Sequence, residues 1–178
     1  MTNEQIQEKL TSALQKLLKN DTHLIEYDVS ERAITHKLAE YLQSEFSDFH
    51  VDCEYNRNFG APKAVRLKEE ELPELLRKKF KNQIEKLNAD ELSADELLSI
   101  STYPDIIVHI RNSNEHNLMI IEVKKEGSHV GGEWDNEKLT AFTDLGEDNP
   151  YHYRLGVFIE IKTGISPVEW PKIDWYPV

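Results

Sequence analysis

The sequence predicts an α/β domain whose sheet is covered on both faces, and three observations lead there. Two N-terminal stretches carry apolar residues at helical spacing. Two strand-like runs between Asp105 and Lys124 are apolar on both sides, as strands are when layers pack against each face. A helical stretch then separates them from a further strand. With 178 residues, of which 39% are hydrophobic, the chain can bury one real core.

In residues 3–19, Ile6, Leu10, Leu14 and Leu17-Leu18 fall at helical spacing. A second helix is expected from Val29 to Phe46, with Ile34, Leu38 and Leu42 as its buried stripe. Glu31 lies on that stripe at the N-terminal end, so its charge should face the sheet. A local alternative exists, because Asp28-Val29-Ser30-Glu31 reads as a capping box in which Glu31 bonds back to Asp28. His50–Arg57 alternates as a first strand, with Cys53 as a small core residue. Glu54 there is expected to pair with Arg57 or Arg66. Residues 66–99 are polar and helical, with Leu72, Leu75, Leu76, Phe80, Ile84 and Leu87 on one side, and read as an insertion for substrate selection or dimer contacts. After a glycine-containing loop, a helix from Trp134 to Leu145 follows, with Asp135 as its cap. Tyr153–Lys162 is another strand, with Leu155, Val157, Ile159 and Ile161 on one face and Phe158 on the other. The proline-punctuated tail, 163–178, carries Trp170, Trp175 and Tyr176 to pack against the body or a second subunit.

The chemistry sits in the middle. Asp105 and Glu122 are equidistant in sequence from Ser113-Asn114, so a two-residue turn there sets them directly opposite each other on antiparallel strands. Lys124, two residues past Glu122, returns to the same face by strand alternation. Two close carboxylates repel unless a divalent ion or a proton intervenes. Mg²⁺ suits such a pair, because it takes oxygen ligands and often only one or two carboxylates, and Mn²⁺ is a second candidate. The carbonyl of Val123 is placed to add a ligand. Lys124 would then handle the attacking water or stabilise charge on the reacting phosphate.

Pro104-Asp105 followed by Glu122-Val123-Lys124 resembles the signature of the PD-(D/E)xK nuclease superfamily, which includes restriction endonucleases and Holliday-junction resolvases. The resemblance runs from about Ser30 to Lys162 in order of elements. It implies a restriction-endonuclease-like αβα sandwich around a mixed central sheet, with a catalytic β-hairpin and a helical insertion. The division would be an N-terminal helix (1–20), a core (28–162) and the C-terminal tail, all in one nuclease-like domain. The resemblance further implies that Glu31 assists Asp105, Glu122 and Val123 in metal binding, and that Lys138 reaches a substrate phosphate.

The expected function is a divalent-metal-dependent nuclease hydrolysing DNA phosphodiester bonds. The alternatives are a catalytically silent domain of the same fold that binds protein or nucleic acid, and another hydrolase using the same acidic pair. A net charge of −12 opposes generic nucleic-acid binding. A local basic surface would answer that objection. Between Lys63 and Lys86 eight basic residues face five glutamates, and Lys78, Lys79 and Lys81, with Lys125 and Lys138, are the expected phosphate contacts. The single cysteine excludes an intrachain disulfide, and neither a zinc cluster, a Walker loop nor a G-x-S-x-G elbow is present. No apolar run is long enough to span a membrane, and the N-terminus lacks a secretion signal, so a cytoplasmic protein without membrane contact is expected, with a homodimer as the candidate assembly.

Overall fold

The computed structural model describes residues 1–67, 98–127, 132–147 and 149–177, together with Glu74, Arg77, Lys78 and Lys81. In chain order the elements are α1 (Asn3–Asn20), α2 (Thr22–Glu26), α3 (Glu31–Glu45), β1 (His50–Cys53), β2 (Arg57–Asn58), β3 (Ala61–Pro62), β4 (Ala64–Leu67), β5 (Leu98–Ser101), β6 (Ile106–His109), β7 (Met119–Lys125), α4 (Gly132–Thr143), β8 (Leu155–Ile161) and β9 (Lys172–Tyr176). The five-stranded mixed sheet has the order β1-β6-β7-β8-β9. Only β7 and β8 are parallel neighbours, and α4 lies in the connection between them, as a parallel pair requires a crossover.

α1 and α3 cover one face. Thr2 caps α1 through a reciprocal box with Gln5, satisfying two orphan N–H groups. Ile6, Leu10, Leu14 and Leu17 of α1 and Ile34, Leu38 and Leu42 of α3 are fully buried against Ile106, Val108, Met119, Ile121 and Val123 and the odd-numbered residues of β8. The other face carries Ile107, Ile120 and Phe158 beneath Leu139 and Phe142 of α4 and Val65 and Ile100 of the β4–β5 ribbon. Gly156 permits this packing. A Cβ there would stand 3.0 Å from Tyr176 Cβ, 3.2 Å from Thr143 Cγ2 and 3.4 Å from Leu139 Cβ.

The register between β6 and β7 is the expected one: Ile106 pairs with Ile121, Ile107 with Ile120 and Val108 with Met119. The turn is different. Instead of a two-residue reversal at Ser113-Asn114, residues 110–118 form a wider loop, closed by Leu118 N–H donating to Val108 O (2.9 Å) and Ser113 N–H to Ile110 O (3.2 Å). The register is held by burial, because a one-residue slip would exchange the two apolar faces.

Three other expectations change. The first strand stops at Cys53, where Glu54 takes φ +49° and turns the chain, so Cys53 is exposed at a sheet edge and is not a core residue. The gap between the first two long helices holds α2. The tail is not merely packed: Lys172–Tyr176 pairs antiparallel with β8, setting Trp175 opposite Val157, while Trp170 stays exposed. Proline at both ends of this segment hid a strand that needs only one paired edge. The helical insertion expected over 66–99 is strand at both ends, where Arg66-Leu67 of β4 pairs with Leu98-Ser99 of β5; Glu74, Arg77, Lys78 and Lys81 are helical, and the rest of 68–97 lies outside the described residues. Among the described residues no helix is long and apolar enough to cross a membrane.

Candidate active site

The C-terminal half of β7 brings the expected trio to one end of the sheet. Asp105 stands immediately before β6, so the observed register continued by one residue places it opposite Glu122. Its Oδ2 accepts the Val123 N–H at 2.8 Å, which fastens the carboxylate to β7 beside Glu122. Burial raises the Asp105 pKa and Asp135 adds repulsion, outweighing the opposing pull of the Val123 N–H, Lys124 and Lys138.

Glu122 is only 1% exposed. Its Oε2 meets Lys138 Nζ at 2.8 Å, whereas among the described residues its buried Oε1 has no hydrogen-bond partner. Burial pushes its pKa well above the ordinary carboxylate range; Lys138 pulls the other way, and Asp105 and Asp135 add to the rise. An orphaned, buried carboxylate oxygen is costly unless a proton or a cation meets it.

Lys124 Nζ lies 3.3 Å from Glu31 Oε1 and 3.3 Å from Asp135 Oδ2. Burial disfavours its charge, but Asp135, Asp105 and Glu31 more than compensate, so its pKa rises and it remains an ammonium. Glu31 therefore does face the sheet end. Its second oxygen accepts the Lys125 N–H at 3.2 Å. The alternative capping box is not formed: Ser30 caps α3 by accepting from the Ala33 N–H, and the Asp28 carboxylate pairs with Lys125 and Thr163.

Asp135 is the residue that sequence reasoning misplaced. It is a buried member of α4 and not its cap, with Oδ1 2.7 Å from Lys138 Nζ and Oδ2 near Lys124. It joins the two lysines in a chain running Glu31, Lys124, Asp135, Lys138, Glu122. A signal existed, since Asp135 shares a helical stripe with Leu139 and Phe142, both buried on the sheet. A carboxylate on such a stripe needs a buried cation, and Lys138 one turn on is that cation.

The remaining predicted positions scatter. Lys125 reaches back to Asp28 and to the Val29 carbonyl, 3.3 Å away. Lys78 is exposed and pairs with Glu74 at 2.8 Å; Lys81 is also exposed, and Lys79 lies outside the described residues. Lys63 does not belong to a basic rim. It is 2% exposed, its Nζ donating to Tyr153 Oη at 2.7 Å amid the rings of Tyr55, Tyr151 and Tyr153. Glu54 pairs with Arg32 at 2.9 Å; the side chain of Arg66, one of its two expected partners, lies outside the described residues.

The donor set can be tested against a divalent ion. Among the described residues no three His, Cys, Asp or Glu side chains gather as a ready metal cluster. Mg²⁺ needs less, and Asp105, Glu122 through its unpartnered Oε1, and the Val123 carbonyl fit its preference for few protein oxygens. With all four ionised, the carboxylates of Glu31, Asp105, Glu122 and Asp135 would outnumber the two ammonium groups of Lys124 and Lys138 by two, and the raised pKa values of Asp105 and Glu122 reflect burial and the repulsion among these carboxylates. Searches of family models, curated proteins and solved structures found no match to this chain.

Proposed function

We propose that the protein is a divalent-metal-dependent nuclease that hydrolyses DNA phosphodiester bonds, with a restriction-endonuclease-like core. The observation that carries this reading is the buried Glu122 carboxylate, opposed in register to Asp105, with one oxygen unpartnered and Lys124 held as a cation at the same end of the sheet. The arrangement of α3, three antiparallel strands, α4 and a parallel strand supports the same core. Asp105, Glu122 and the Val123 carbonyl would hold Mg²⁺ or Mn²⁺, which supplies Lewis-acid polarisation of the phosphoryl group and a more acidic water.

This chain's own residues divide the rest of the work. Lys124, an ammonium held between the carboxylates of Glu31 and Asp135, is the charge-stabilising group. Glu31 and Asp135 position it from opposite sides. Lys138 pairs with Glu122 and Asp135, and in this reading it would contact a substrate phosphate only by leaving them.

A second reading is favoured by one specific contact. Lys138 already satisfies Glu122 Oε2, so the network could be a permanent internal ion cluster in a silent binding domain. Two variants separate these readings. In calorimetric titrations with Mg²⁺ and Mn²⁺, Glu122→Gln should lose metal binding while Lys124→Ala retains it, and both should lose cleavage of single-stranded, duplex and branched DNA. Metal-independent cleavage, or cleavage by either variant, would refute the assignment; wild type that binds no metal and cuts nothing would establish the silent domain.

A further inference from the structure

Three aromatic side chains are exposed on segments that connect to the acidic site: Tyr27 (80% exposed), Phe59 (62%) and Tyr103 (58%). Each is tied to the site by short connections. Tyr103 precedes Pro104-Asp105. Phe59 sits at the tip of the β2–β3 hairpin, whose root is fixed beside Tyr103: Lys63 N–H donates to Asn56 O at 2.6 Å, and Thr102 N–H donates to Lys63 O at 3.0 Å. Three residues separate root from tip, about 10 Å at ~3.3 Å per residue. The chain before the hairpin is also held to the site, since Glu54 N–H donates to Asp105 O at 3.2 Å. Tyr27 adjoins Asp28, which pairs with Lys125 next to the catalytic lysine.

Phe59 has the wrong chemistry for its backbone. Asn58 pairs with Ala61, so Phe59-Gly60 is a two-residue turn, and both residues have positive φ, +47° and +87°. That is the geometry of a type I′ turn, for which Asn-Gly is the favoured pair. A bulky residue in the left-handed region is an outlier, and strain of this kind concentrates at functional sites. Here an apolar ring is held out in solvent at a conformational cost.

We propose, resting on the nuclease reading for the nature of the ligand, that Phe59, Tyr103 and Tyr27 form a stacking platform that makes single-stranded nucleic acid the preferred substrate. The charge of the protein selects this occupant. A duplex offers mainly phosphates, which a chain of net charge −12 attracts poorly. An unpaired strand also offers base faces, and stacking on aromatic side chains needs no positive charge and tolerates any sequence. The described lysines near the site are engaged: Lys125 with Asp28, Lys124 with Glu31 and Asp135, and Lys138 with Glu122. The rings thus replace much of the affinity that a basic groove would supply.

The test is fluorescence anisotropy in EDTA with three labelled probes of about 20 nucleotides: a single strand, the same sequence as duplex, and an abasic strand of equal charge. Wild type should bind the single strand more tightly than either other probe, with a shallow salt dependence. Phe59→Asn and Tyr103→Ala should each weaken single-strand binding about five- to hundredfold. Phe59→Asn should at the same time raise the melting temperature, because it installs the favoured turn residue, a gain that a purely structural role for the ring would not produce. Equal binding of the abasic strand, preference for duplex, or unchanged affinity in both variants would overturn the platform. Wild type that binds single strands by stacking yet cuts no substrate with metal present would overturn the nuclease reading alone.

Discussion

Replacing Glu122 by Gln removes a charge while keeping the shape of the side chain, and the site predicts an effect on stability opposite in sign to its effect on function. Without metal, Glu122 is buried, one oxygen lacks a partner, and Asp105 and Asp135 repel it against a single contact from Lys138. An amide escapes the repulsion and still accepts from Lys138. Relief of one unsatisfied buried acceptor is worth about 1–3 kcal/mol. In a chain of this size each kcal/mol corresponds to roughly 2–4 °C, so a gain of about 2 kcal/mol raises the melting temperature by roughly 4–8 °C. The pH dependence carries the sign. A carboxyl whose folded pKa is raised stabilises the fold below its unfolded value and loses that contribution as pH rises through the folded value. Metal-free wild type should therefore lose stability as pH climbs from the ordinary carboxylate range toward neutrality, and Glu122→Gln should flatten that decline. With Mg²⁺ at about 100 times its dissociation constant, wild type should gain about 2.7 kcal/mol and the variant nothing. Thermal melts from pH 4.5 to 8, with EDTA or Mg²⁺, read all of this. A variant less stable than wild type at pH 7.5 in EDTA, with the same metal response, would refute the reasoning, because Glu122 would then be a satisfied structural anion.

Lys63 supplies an independent test. Burial pushes its pKa down to about 8 despite Asp52 nearby, so the unfolded chain binds more protons between about pH 8 and the ordinary 10.5, and stability should rise with pH across that window. The unfolding free energy of wild type relative to Lys63→Met, from urea titrations, should climb by about 2 kcal/mol between pH 7 and 10, at about 1.4 kcal/mol per pKa unit; parallel curves would show that the three rings restore the ammonium's full stability. Gly156→Val should cost about 1–3 kcal/mol by overpacking, since even a Cβ would press on Tyr176, Thr143 and Leu139. A chemical-denaturation curve indistinguishable from wild type would mean that β9 and α4 yield without loss.

The layers on the α1 and α3 side were legible because periodicity there had no competitor: Ile6, Leu10, Leu14, Ile34, Leu38 and Leu42 are all fully buried as spaced. The pairing of Asp105 with Glu122 was legible for a reason other than the one that suggested it. A tight turn at Ser113-Asn114 pointed to the right register, but the wide loop shows that the two apolar faces of β6 and β7 set it. What the sequence concealed was long-range. Lys63 reads locally as a surface lysine, because two of the three tyrosines that cage it, Tyr151 and Tyr153, lie about ninety residues downstream. β9 was hidden because an edge strand tolerates flanking prolines, and because its partner β8 looked complete by its own alternation.

Asp135 explains why the site reads differently in three dimensions from the short motif that suggests it. A trio of Asp105, Glu122 and Lys124 alone would set one ammonium beside two mutually repelling carboxylates, leaving Lys124 free to turn toward either. Asp135 removes that freedom by holding Lys124 and Lys138 on its two oxygens, while Glu31 takes Lys124 from the α3 side. Lys138 takes Glu122 Oε2, which leaves Glu122 Oε1 without a hydrogen bond or an ion pair, whereas Asp135 Oδ2, which also lacks a hydrogen bond, is paired with Lys124. The helix that covers the sheet thus decides which carboxylate oxygen is available to a cation. With all four carboxylates ionised, two negative charges would remain after both lysines are counted; a proton relieves that repulsion in the metal-free site, and a divalent ion would relieve it by replacing the proton.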